Sequence, residues 1–187
     1  MARTTSSQLL KVGEKAPDFR LKGVDNNLYS ITDFRSEAVL VVFICNHCPY
    51  VKARIRDIVS LQQIFNSEQL QVVGINSNDP TYDGEGFDNM ITFAKEHALN
   101  FPYLIDDTQN VAKAYGAVCT PDPFLFDSDL KLVFHGRIND ALEPEMHPRV
   151  LVMEDNIKKI LKGEKLEKAF DPSVGCSIKW KDAESST

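Results

Sequence analysis

The chain has little cysteine, only 4 residues in 187. That is too few for a disulfide scaffold at this length, and a chain this long buries a core without one. Positive charge is also short: 21 Lys and Arg stand against 27 Asp and Glu, a net charge of −6. Such a surface does not attract phosphate backbones, so nucleic acid is not expected as a partner. No run of about 20 apolar residues occurs, which excludes a membrane-spanning helix as the reading of any segment. The opening MARTTSSQLL lacks the apolar core of a secretory signal. The expectation is therefore a cytoplasmic protein with no membrane partner. No internal repeat is visible, and no low-complexity stretch beyond the polar ends.

What is present is an alternation of strand and helix patterns. Ala38 to Ile44 (AVLVVFI) is apolar throughout and β-branched, as a strand covered on both faces should be. Val51, Ile55, Ile58, Leu61 and Phe65 then recur at helical spacing. Leu70 to Ile75 reads as a second buried strand, and Phe87, Met90, Ile91, Ala94 and Ala98 as a second helix. Thr108 to Tyr115 reads as a short helix, with Thr108 as N-cap and Gly116 as its stop. Phe124 to Phe126 and Lys131 to His135 form a hairpin pattern around Asp127-Ser128-Asp129. Val150, Met153, Ile157 and Ile160 mark a last helix, ended by Gly163. Short strands are expected near Leu21 and over Leu28 to Ile31. This order argues for an α/β sandwich with a mixed sheet. Residues 1–12 read as a flexible N-terminus, 13–170 as the domain, and 171–187 as a tail without clear regular structure.

The four cysteines are Cys45, Cys48, Cys119 and Cys176. In a reducing compartment, spaced cysteines point to redox chemistry or metal binding. The segment VFICNHCPYV packs a strand end, two cysteines and a helix start into ten residues. Proline is favoured at the first helical position, where its missing N–H would be unpaired anyway. With Pro49 there, Cys48 becomes the N-cap and its sulfur faces the positive end of the helix dipole. That lowers a thiol pKa and makes the thiolate, the nucleophilic form, available. Lys52 and Arg54 are expected to add positive potential. A metal reading is weaker. Cys45, His47 and Cys48 offer ligand atoms, but no second pair completes a structural site of four. No metal or other cofactor is expected.

The strand–Cys–Pro–helix segment, taken with Tyr115 to Asp127 (YGAVCTPDPFLFD), resembles the thioredoxin superfamily. The resemblance is to its peroxiredoxin-like branch, the alkyl hydroperoxide reductase/thiol-specific antioxidant group, which also includes TlpA/ResA-like proteins. CNHCPYV, INSND, FPYL, AYGAVCTPD and GCSIKW together carry it. It implies a thioredoxin-like α/β/α sandwich with a central mixed sheet. It also implies a cis-proline at Pro121, after Thr120, facing the active cysteine, with Cys119 alongside. Aligned this way, Cys48 matches the first thioredoxin cysteine and Val51 replaces the second. The resolving cysteine is then Cys45 or Cys119, or Cys176 if the tail folds back over the site. Val42 stands where thioredoxin has its buried acid; His47 is a substitute proton acceptor or an exposed residue tuning the thiols. The peroxidase signature, Pro-x-x-x-Thr/Ser-x-x-Cys, is absent in both registers: Cys45 and Val41 precede Cys48, and Val42 and Ala38 precede Cys45.

The resemblance thus implies a thiol–disulfide oxidoreductase acting on a thiol or disulfide substrate, with a protein or small thiol as reductant. Two alternatives remain open: a thiol peroxidase, and a redox sensor or binding module without turnover. Nothing in the sequence fixes the oligomeric state.

Overall fold

The computed structural model describes residues 3–181. In chain order the elements are β1 (Arg3–Thr5), β2 (Arg20–Gly23), β3 (Leu28–Ser30), β4 (Ala38–Phe43), α1 (Pro49–Ile64), β5 (Leu70–Asn76), α2 (Phe87–Glu96) and β6 (Tyr103–Ile105). There follow α3 (Asn110–Tyr115), β7 (Cys119–Thr120), β8 (Asp122–Asp127), β9 (Leu132–Gly136), α4 (Val152–Leu161), β10 (Phe170–Asp171) and β11 (Val174–Ser177). An eight-stranded mixed sheet runs β10-β9-β8-β4-β5-β6-β2-β3. β4, β5 and β6 are parallel, and β8 joins β4 antiparallel.

Strand residues alternate between the two faces of a sheet. Ala38, Leu40 and Val42 therefore pack on one side with Ile55, Ile58, Met90 and Met153. Val39, Val41 and Phe43 pack on the other with Ala112, Tyr115 and Phe124. All six β4 residues are buried, which is why the strand reads as apolar without alternation. Each of its Val, Leu and Phe side chains contributes about 1.5–3 kcal/mol by leaving water. The sheet is thus covered by helices on both faces, as a thioredoxin-like α/β/α sandwich is. Among the described residues no helix is long and apolar enough to cross a membrane.

The structure departs from the sequence reading in four places. α3 begins at Asn110, two residues later than expected; Asp106 Oδ2 takes the Ala112 N–H at 3.0 Å, and Thr108 Oγ1 takes the Asn110 N–H at a long 3.4 Å. β6, β7 and β10 carry only two or three residues each, too short for a periodic signal. The N-terminus is not loose: Arg3–Thr5 pair antiparallel with Val174–Cys176. The tail in turn pairs with β7, placing Cys176 opposite Thr120 and Ser177 opposite Cys119. The boundaries at 12 and 170 therefore cut through a small three-stranded sheet, β1-β11-β7, which joins three segments far apart in sequence. The expected loose ends at residues 1–2 and 182–187 lie outside the described residues.

Candidate active site

Cys48 is the N-cap residue of α1, in extended conformation, with Pro49 at the first helical position. β4 delivers the chain to this point, and α1 leaves it because its apolar stripe, Val51, Ile55, Ile58 and Leu61, packs on the sheet. The first turn carries no acidic residue to oppose an anion. The sulfur makes no full capping hydrogen bond, so the helix start acts on it through its field.

The Cys48 thiol is lowered to about 5. The largest cause is a hydrogen bond from the Cys45 thiol; Cys176 and the N–H groups of Val51 and Cys176 add to it, against the cost of burial. The helix start is thus a lesser influence than the neighbouring thiol. Lys52 and Arg54 do not take the part expected of them. Arg54 is buried and donates to the carbonyls of Ala141, Glu143 and Met146, anchoring that loop. Lys52 is exposed.

The Thr120–Pro121 peptide bond is cis. Thr120 meets both cysteines of the motif: its Oγ1 lies 3.1 Å from Cys45 Sγ, and its carbonyl oxygen 3.4 Å from Cys48 Sγ. The nearest sulfur to Cys48 that the fold supplies from a distant segment is Cys176, at 2.6 Å. None of the four cysteines is in a disulfide, and all are buried. Burial, and then donation to the Cys48 sulfur, pushes Cys176 up to about 12. Burial, and then the same kind of donation to Cys48, likewise raises Cys45 well above its ordinary value. Cys119 is also raised, first by burial and then by Asp122. Its sulfur faces the Pro121 carbonyl and Ser173 Oγ, each at 3.9 Å, rather than Cys48. The geometry therefore sets the tail cysteine, the candidate that the sequence ranked behind Cys45 and Cys119, against Cys48 together with Cys45, and turns Cys119 elsewhere.

His47 is not an exposed loop residue. Its Nδ1 contacts the buried carboxylate of Glu85, which also accepts the N–H groups of Asn46 and His47 and the amide of Asn76. Tyr103 ties into this network by donating to Asn46 Oδ1 at 2.8 Å. Glu85 thereby fixes the Cys-Asn-His-Cys loop. No sequence pattern marks it, because the loop residues it holds, Asn46 and His47, lie 39 and 38 positions away. Cys45, His47 and Glu85 place three donor atoms within 4.8 Å of one another. Glu85 already accepts three N–H groups besides its contact with His47 Nδ1, Cys45 already faces Thr120, and three ligands are one short of a closed structural zinc site.

A second buried pair lies behind the proline. Asp122 Oδ1 is 2.7 Å from His135 Nε2 and also receives a hydrogen bond from Ser173 Oγ at 3.3 Å. His135, at the end of the expected hairpin, is fully buried and stacked on Phe124. Gly175, within the GCSIKW motif, is the other residue that sequence reasoning passed over. It sits against the Thr120 carbonyl, where a Cβ would meet the oxygen at 2.0 Å.

Comparison with known proteins bears on the fold and the family. The model of the AhpC/TSA family matches residues 12–135. A crystal structure of an uncharacterized conserved protein from Geobacillus kaustophilus superposes with a TM-score of 0.90 at 39% identity, covering 98% of each chain. The thiol-disulfide oxidoreductase ResA of Geobacillus thermodenitrificans is 27% identical over 128 residues, 68% of this chain and 70% of that one. The thioredoxin domain of a thiol-disulfide oxidoreductase from Bacteroides vulgatus shares the fold, with a TM-score of 0.64 at 19% identity over 81% of this chain and 99% of that one. A thioredoxin fold, an N-cap cysteine thiolate facing a cis-proline and a family match across two thirds of the sequence lead to one conclusion: the chain belongs to the AhpC/TSA family.

Proposed function

We propose that this protein is a thiol–disulfide oxidoreductase in which Cys48 is the nucleophile and Cys176 the resolving thiol. The observation that carries the reading is the 2.6 Å approach of the two sulfurs at the start of α1. The Cys48 thiolate attacks one sulfur of a substrate disulfide, forming a mixed disulfide and expelling the other sulfur as a thiolate. Cys176 then attacks the Cys48 sulfur. Its proton passes to the leaving group or to water, and the substrate departs as its second thiol. Two electrons move from the Cys48–Cys176 dithiol to the substrate, and an external dithiol, or two thiols that leave as their disulfide, restores it.

The charges favour this order. While Cys48 is a thiolate, its charge and the bond that Cys176 donates to it hold the second thiol protonated. Once Cys48 is tied up in a mixed disulfide both influences vanish, while Lys179 still lowers Cys176. The resolving thiol is thus released for ionisation at the step that needs it. Cys45 donates to the thiolate and Thr120 holds Cys45, which makes both positioning residues.

Disulfide reduction by single variants tests the assignment. Cys48→Ser is expected to abolish turnover. Cys176→Ser is expected to stop at a mixed disulfide visible by intact mass, while Cys119→Ser keeps turnover. Retained turnover in Cys176→Ser would assign resolution to another thiol. Peroxide consumption with a thiol reductant is the counter-assay. Peroxide turnover exceeding disulfide turnover would make the protein a peroxidase and its role antioxidant, with sulfenate as the first product. Reversible oxidation without either turnover would make it a sensor.

A further inference from the structure

The tail does more than carry a thiol. β11 lies antiparallel along β7, the two residues that precede the cis-proline, and Ile178 N–H extends the pairing to the Val118 carbonyl at 3.1 Å. It occupies the whole backbone edge beside Cys48 and sets its own cysteine on the reactive sulfur. Adding a strand to an exposed sheet edge is a general way to bind an extended peptide: main-chain bonds supply affinity and side-chain fit supplies selectivity.

We propose that β11 is a resident substrate strand, and that the Thr120 edge recognises extended protein segments in which a glycine immediately precedes the reactive cysteine. This rests on Cys48 being the nucleophile. The selectivity follows from Gly175. A Cβ there would stand 2.0 Å from the Thr120 oxygen, 2.5 Å from its carbon and 3.2 Å from Pro121 N, all rigid backbone at the centre of the site. Any segment that takes the register of β11 meets the same wall one residue before its cysteine. A side chain at that position lifts the strand from β7 and carries the sulfur away from Cys48.

The occupant is held at both ends, so exchange requires a local opening. Ser6 and Ser173 exchange two 3.0 Å hydrogen bonds, and Arg3 on β1 pairs with Glu143 at 2.9 Å. Beyond the strand, Asp79 N–H donates to the Lys179 carbonyl at 2.7 Å, and Lys179 N–H to Asn78 Oδ1 at 2.9 Å.

The test uses the full chain and the peptide Ser-Val-Gly-Cys-Ser-Ile-Lys, with its cysteine activated as a mixed disulfide to thionitrobenzoate. Attack by the Cys48 thiolate joins Cys48 to the peptide and releases thionitrobenzoate, a coloured anion; with Cys176→Ser the reaction stops there. We expect this variant to capture the peptide at least about 10-fold faster than the same peptide with alanine before cysteine, the scale on which a close-fitting site rejects one methyl group. Adding Gly175→Val, which unseats β11 while sparing Cys48, Cys45 and Thr120, should speed capture further. Equal rates for the two peptides in Cys176→Ser would overturn the proposal, whether or not the double variant folds. A folded double variant with no gain in rate would overturn it too. If neither peptide nor a small aromatic disulfide reacts at Cys48 in either variant, the nucleophile assignment itself is wrong, an outcome distinct from lost selectivity.

Discussion

Cys48 owes its ionisation to contacts from three separate places: the Cys45 thiol, the start of its own helix, and the tail cysteine. Removing the largest, with Cys45→Ala, should raise the Cys48 pKa. Absorbance near 240 nm reads the thiolate without needing access to it, and the reduced protein should lose that signal as pH falls through about 5. Stability is linked to the same titration. Between about pH 5 and 9 the unfolded Cys48 thiol holds a proton that the folded one has released, so stability from this group rises with pH across that window. It is fully present above the unfolded value and is lost as pH falls through the folded one. The slope should appear in denaturant melts of the reduced protein, and the Cys48→Ser variant should lack this contribution. The buried Asp122–His135 pair makes a separate claim. Asp122→Ala strands His135 and Ser173 in a dry interior, and chemical denaturation should show a loss of about 3–5 kcal/mol.

The site is a property of how α1 is seated. Ile55 is 1% exposed and packs in the cluster that includes Cys45, Cys48 and Cys176. Ile55→Ala should cost about 2–5 kcal/mol by transfer and cavity effects, read by urea melting. The long elements were legible for the same reason that they are stable. β4 and β5 are unbroken apolar runs, and α1 repeats its apolar residues every three or four positions, so local pattern and global packing agree. The N-cap cysteine was legible because Pro49 marks the helix start. The elements that were not legible are those whose cause lies elsewhere in the chain. β1 and β11 are three and four polar or small residues that become strands only by pairing across 170 positions. Glu85 and Gly175 are functional through what the fold sets against them, a loop amide and a carbonyl, and neither leaves a periodic trace.

Taken whole, the molecule uses its two termini to close its own reactive centre. The N-terminal strand holds the tail strand, the tail strand covers Thr120, and Cys176 meets a residue 128 positions earlier. A bond between them would close most of the chain into a loop, for which the entropic model allows about 4–5 kcal/mol. The oxidised protein should therefore resist denaturant better than the reduced one, and Cys176→Ser should abolish the difference. The most direct measurement maps the disulfide itself. The protein is oxidised with one equivalent of a small disulfide, digested without reductant, and its linked peptides are sequenced by mass spectrometry. The expected product joins the peptide holding Cys48 to the one holding Cys176, with Cys119 still a free thiol. A Cys48 linked to Cys45 or Cys119, or left unmodified while other thiols oxidise, would contradict the account.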